Sequence, residues 1–266
     1  MVIDFHTHVF PDKIAEKTIE YLSCKGGISP YAKGTCASLV EKMDEAGVDT
    51  SVTLPVVTNP KQFESINRFA LELNAKMGGK IISFGGIHPL SDDIEGKMKF
   101  LKESGFLGVK IHPDYQGEFI THTGYIKILE LAKELDLIVV THAGFDCGFP
   151  GETVKCPPHL TKEVIKRVNH PKFVLAHLGG CEMLDEVFRH LVGENVYLDT
   201  SYVLRKTSQE DLKKLVLRHG EDKILFASDS PWSDIKSDVE ALRAVGLSKN
   251  TEEKILYKNA KALLSI

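Results

Sequence analysis

Eight short, strongly apolar segments alternate along the chain with helix-like stretches, and this alternation limits what the chain can fold into. The segments are residues 2–10, 50–57, 81–88, 108–113, 137–144, 173–178, 196–201 and 224–229. They recur at spacings of roughly 25 to 45 residues, with the intervening stretches reading as helices. Near-continuous apolar runs belong to parallel strands buried on both faces, and a count of eight favours closure of the sheet. The expected fold is therefore α/β, a (β/α)8 TIM barrel. At 266 residues the length is ordinary for such a barrel. No break in composition marks a second domain, so one domain over residues 1–266 is expected.

The helices are predicted over 12–22, 38–46, 63–77, 92–104, 123–135, 160–168, 182–191, 209–218, 237–245 and 252–264. Two connections are longer than usual, 11–38 and 145–159. Loops at strand ends form pocket walls in barrels, so these two are expected to shape the substrate site.

The polar residues with chemical potential fall late in the strand segments, where barrels place their active sites. The first segment contains Asp4, His6 and His8 at alternate positions, so all three are expected on one face. Ile3, Phe5, Thr7 and Val9 then face the covering helices. Two imidazoles one residue apart on a strand form a chelating pair. Later segments end in His88, Lys110, His112, His142, His177 and Asp229. Nitrogen donors with one carboxylate suit Zn2+ best, with Mn2+ or Fe2+ as alternatives. His112 and His88 are candidates for binding substrate, though His88 can equally cap the turn before Pro89. Trp232, the only tryptophan, either lines the pocket or packs at its rim. His122, His159, His170, His190 and His219 fall in or beside helices and read as surface residues. Lys25, Lys33, Lys155 and Arg205 read as solvated charges that could also meet a substrate carboxylate.

Composition excludes several classes. A net charge of −4 gives no footprint for nucleic acid or an anionic membrane. No apolar run approaches the roughly 20 residues that span a bilayer. Five cysteines without a Cys-x-x-Cys pair argue for a reducing compartment, with the cytoplasm as the expected location.

The motifs Asp4-Phe5-His6-Thr7-His8, Thr141-His142-Ala143-Gly144, Ala176-His177-Leu178-Gly179-Gly180 and Ser228-Asp229-Ser230-Pro231-Trp232 resemble the amidohydrolase superfamily. They resemble in particular the amidohydrolase-related branch that includes aminocarboxymuconate-semialdehyde decarboxylase. The resemblance covers essentially the whole chain. It implies that His6, His8, His142 and Asp229 ligate one divalent metal and that His177 contacts substrate or approaches a second metal. Lys110 resembles the carboxylated lysine that bridges two metals in binuclear members; an unmodified ammonium is the other reading. A homo-oligomer is also implied.

The chemistry expected of such a site is activation of water, with Asp229 and His177 handling the proton and the developing charge. Hydrolysis of an amide, lactone or ester in a small molecule is the first reading, because Lys110 suits that branch. Metal-dependent, non-oxidative decarboxylation of a small acid is the alternative. A barrel-type deoxyribonuclease fits less well, since it resembles this chain elsewhere but offers a glutamate where Lys110 stands.

Overall fold

The computed structural model describes residues Met1–Ile266. The apolar segments form parallel strands β1 (Ile3–Thr7), β2 (Thr50–Thr53), β3 (Ile81–Ser83), β4 (Gly85–Gly86), β5 (Gly108–Ile111), β6 (Ile138–Thr141), β7 (Phe173–Leu175), β8 (Tyr197–Asp199) and β9 (Ile224–Leu225). Hydrogen-bonded order runs β1-β2-β3 and then β4 through β9. β3 and β4 are the two halves of the expected third strand, interrupted at Phe84, whose N–H still donates to Thr53 O at 2.9 Å. The ring closes between last and first strands: Phe5 N donates to Phe226 O at 2.9 Å and Asp229 N to His6 O at 2.8 Å. This is the (β/α)8 barrel that the alternation predicts.

Alternate strand residues sort into two layers, as the period of two requires. Phe5, Val52, Leu54, Phe84, Val140, Val174 and Leu225 meet inside the barrel, with Leu263 and Leu264 of the C-terminal helix packed against them. Val109, Ile111, Val139, Leu175, Leu198 and Phe226 face outward into the larger core shared with the helices.

β1 departs from the simple alternation. Asp4 pairs with Ser51 and Thr7 with Thr53, so three steps on β1 span two on β2. Such a bulge re-aims side chains. Ile3 and Phe5 consequently enter the barrel interior instead of facing the helices. Asp4 does not share the face of His6 and His8. Its carboxylate accepts from Ser228 N at 2.9 Å and from Ser228 Oγ at 2.6 Å.

The helices fall where periodicity places them, with shifted ends. The first runs Asp12–Gly26, four residues beyond expectation, and stops at Gly27, which takes the left-handed conformation (φ +61°). The expected helix therefore takes in the first four residues of the loop that follows it. The final helical region begins at Lys249 and contains a π-helical turn over Lys254–Lys258. No helix is long and apolar enough to cross a membrane.

Two histidines expected at the surface are buried. His170 Nε2 donates to Leu137 O at 3.0 Å, and His219 Nε2 to Val196 O at 2.9 Å. Each satisfies a carbonyl next to a strand, a role that sequence position does not reveal. Burial lowers the pKa of His170 to about 4. Its depressed folded-state value means that the unfolded chain takes up the proton first as pH falls. The stabilisation is complete above pH 6.5 and is lost between there and about pH 4, up to about 3 kcal/mol. Urea midpoints measured from pH 7 to 4.5 should fall for the native protein. They should fall less for His170→Gln, whose amide can still donate to Leu137 O.

Candidate active site

The strand ends open into a cavity of about 810 Å³. Its floor holds His6, His8, Lys110, His142, His177 and Asp229. The wall includes Ile14, Tyr21 and Lys25 from the first helix and Phe145, Asp146 and Phe149 from the loop after β6. Both long connections thus shape the pocket, as expected, the first through the helix at its start. Lys25 places Nζ 3.5 Å from the Phe149 ring centroid, a cation held against an aromatic face at the cavity wall.

Each ring in the first cluster is fixed by a hydrogen bond on its far side. His6 Nδ1 donates to Asp199 Oδ2 and His8 Nδ1 to Leu54 O, each at 2.9 Å. In the neutral rings this leaves both Nε2 atoms as lone pairs. They lie 3.2 Å apart, and Asp229 Oδ1 sits 3.2 Å from His8 Nε2 and 3.4 Å from His6 Nε2. Three acceptors converging at these distances repel one another unless a cation joins them, and the Lys110 ammonium, 3.1 Å from His6 Nε2, meets only one of the three. Donors about 2.0–2.2 Å from one ion would be spaced at about this distance from each other. The residues therefore fit a divalent metal.

The backbone supports this placement. Asp229 has φ +72° and His177 φ +57°, a conformation non-glycine residues rarely adopt. Strain of this kind gathers at functional sites. Burial keeps His6, His112 and His142 neutral, with pKa values well below 6.5.

Lys110 is buried with Nζ 3.1 Å from His6 Nε2. Burial lowers its pKa to about 8, with Asp199 and Asp229 partly offsetting the effect. It stands beside the His6, His8, Asp229 cluster.

Other expected residues are placed differently. The structure sets His142 apart from the His6, His8, Asp229 group and puts it with His112 and Asp146. Its Nδ1 meets His177 Nε2 at 3.0 Å. His88 is not among the cavity-lining residues; its Nδ1 accepts from Leu90 N at 3.1 Å, so it caps the turn instead. His112 lines the cavity and also accepts from Tyr115 N at 3.5 Å, where it begins the short helix Pro113–Gln116. Trp232 lines the cavity. Arg205 is committed to Asp238 at 2.8 Å and does not line the cavity.

Sequence reasoning missed Asp199, Ser201 and Asp146. Asp199 orients His6 and accepts from His177 N at 3.0 Å, while Ser201 O accepts from His177 Nδ1 at 2.9 Å. Asp199 closes a strand segment, the same signal that singled out the histidines. Asp146 lies in a loop and carried no such signal. Gly144 lets that loop approach: its φ is +84°, and a Cβ there would lie 2.2 Å from Cys181 N.

A closed parallel barrel with a histidine–carboxylate cluster at its strand ends defines a metal-dependent class of site. A family model described as amidohydrolase matches residues 3–266, and the chain belongs to that family. No curated protein sequence matches the chain. Among solved structures, 2,6-dihydroxybenzoate decarboxylase from Rhizobium superimposes with a TM-score of 0.73 at 17% identity, covering 99% of this chain and 98% of that one. 5-Carboxyvanillate decarboxylase from Novosphingobium aromaticivorans, complexed with manganese and 4-hydroxy-3-methoxy-5-nitrobenzoic acid, gives 0.76 at 16%, covering 100% and 96%. A dihydroxybenzoic acid decarboxylase from a Polaromonas species, with manganese and 2-nitroresorcinol, gives 0.71 at 18%, covering 99% and 96%. At these identities the likeness establishes the fold.

Proposed function

We propose that this protein is a metal-dependent, non-oxidative decarboxylase of a small aromatic carboxylic acid, acting in the cytoplasm. The observation that carries this reading is the His6, His8, Asp229 cluster at the floor of a cavity with aromatic walls. The decarboxylases with similar folds support it, and two of them hold manganese, so Mn2+ replaces Zn2+ as the preferred ion. His6 Nε2, His8 Nε2 and Asp229 Oδ1 would hold the ion. When bound, it supplies Lewis-acid polarisation of a carboxylate or hydroxyl oxygen.

The chain's own groups do the rest. Tyr115, Phe149 and Trp232 offer faces for an aromatic ring, and the buried Lys110 ammonium attracts the anionic end. Asp229 would take a proton from water through its second carboxylate oxygen and pass it to the carbon that carries the carboxylate. The bond to that carboxylate then breaks and CO2 leaves, with no net change of oxidation state. His177, held by Ser201 O, is positioned to donate to substrate only if its ring turns or charges, so it is assigned a binding role.

Hydrolysis of a lactone or ester is the second reading, favoured by the buried Lys110 beside His6. Incubating the Mn2+-loaded protein with 2,6-dihydroxybenzoate and 5-carboxyvanillate, and separately with a lactone and ester panel, decides between them. CO2 release with either acid supports decarboxylation. Turnover confined to the lactones or esters overturns it.

A further inference from the structure

Asp4 lies fully buried at the seam where the last strand meets β1, outside the active-site cavity. All of its hydrogen-bond donors are uncharged. Burying a carboxylate without a counter-ion is costly, so what it holds needs an explanation.

Its partners sit across the seam, beside Asp229. Ser228 N donates to Asp4 Oδ1 at 2.9 Å and Ser228 Oγ to Asp4 Oδ2 at 2.6 Å, while His6 N adds a longer bond of 3.3 Å to Oδ1. With its hydrogen given to Asp4, the Ser228 hydroxyl accepts from Ser230 N at 3.0 Å. Ser228 O accepts from Tyr202 N at 3.0 Å, so every polar atom of Ser228 is engaged. Asp229 N donates to His6 O at 2.8 Å, and His8 N to Ser230 O at 2.7 Å. The backbone is thus tied down on both sides of Asp229. Asp229 itself has φ +72°, a conformation that persists only where its surroundings over-determine it. Backbone bonds such as Phe5 N to Phe226 O already close the ring, so closure alone does not call for a buried carboxylate.

We propose that Asp4, acting through Ser228, is a positioning residue for Asp229. It fixes the residues before and after Asp229 so that Oδ1 is held 3.2 Å from His8 Nε2 and 3.4 Å from His6 Nε2. A carboxylate suits the task because both of its oxygens accept. An amide at position 4 turns its N–H toward the Ser228 hydroxyl, whose own hydrogen then has no acceptor there. The inference rests on the reading that Asp229 holds the ion, and it is the same for decarboxylation and hydrolysis.

Mn2+ titration of the full chain, followed by electron paramagnetic resonance of the free ion, tests it beside metal-free thermal melts. Asp4→Asn should bind Mn2+ about 10- to 100-fold more weakly than the native protein while still folded at the assay temperature. Ser228→Ala, which keeps the backbone donor to Asp4, should show a smaller loss in the same direction. The double variant should bind no more weakly than Asp4→Asn, because both residues act by one route. Variants that melt earlier yet keep native affinity would make Asp4 a stitch in the seam and overturn the proposal. Losses that multiply in the double variant overturn it too. Should Asp4→Asn not fold, Ser228→Ala decides by the same measure. A native protein without Mn2+ affinity overturns the reading of Asp229 and this inference with it, whereas equal affinities in native and variant proteins overturn the inference alone.

Discussion

Asp229→Asn should abolish turnover by about three orders of magnitude or more while leaving the fold in place, because it removes the anionic donor and the proton carrier together. The amide keeps the shape of the side chain, and the backbone N–H at position 229 can still donate to His6 O at 2.8 Å. What it loses is negative charge facing the His8 and His6 Nε2 atoms at 3.2 and 3.4 Å. Affinity for Mn2+ should fall with activity, since one of three charge-bearing or lone-pair donors no longer binds as a carboxylate. The check is kcat/KM of the Mn2+-supplemented variant beside its Mn2+ titration and thermal melt. A variant that retains native affinity and activity would remove Asp229 from both roles.

The largest effect on stability is expected at Phe84. Its side chain is fully buried inside the barrel and meets Phe5 edge to face, with centroids 6.0 Å apart and planes at 89°. Gly108 makes room for it, since a Cβ there would lie 2.5 Å from the Phe84 ring. Phe84→Ala should cost about 3–5 kcal/mol through lost burial and a cavity that a closed barrel collapses poorly around. Against a typical total of about 5–15 kcal/mol, this leaves a marginal protein. Denaturant unfolding followed by circular dichroism measures it. A midpoint within experimental error of the native protein would mean that the interior layer does not hold the barrel together.

Much of the site was legible because strand periodicity ties sequence position to direction. His6, His8, Lys110, His142, His177 and Asp229 all line one cavity, since each closes a strand of the same parallel ring. The reading failed where direction depends on something other than period. A bulge in β1 turned Asp4 away from His6, and no residue in that segment signals a bulge. His88 turned to its own loop, where Leu90 N was the nearer partner. His170 and His219 went inside because carbonyls at Leu137 and Val196 needed donors, which only the packed structure shows.

The sequence by itself determined the eightfold alternation, the family and the set of histidines and carboxylate brought to the barrel mouth. These depend on local hydrophobic period and on position within a strand, both of which are written in order along the chain. Tertiary structure alone decided which of those donors face one another. His6, His8 and Asp229 converge, while His142 turns to His177 and Asp146. That sorting depends on hydrogen bonds to Asp199, Leu54 and Ser201, residues 22 to 193 positions from the histidines they hold, and such partners exist only once the barrel has closed.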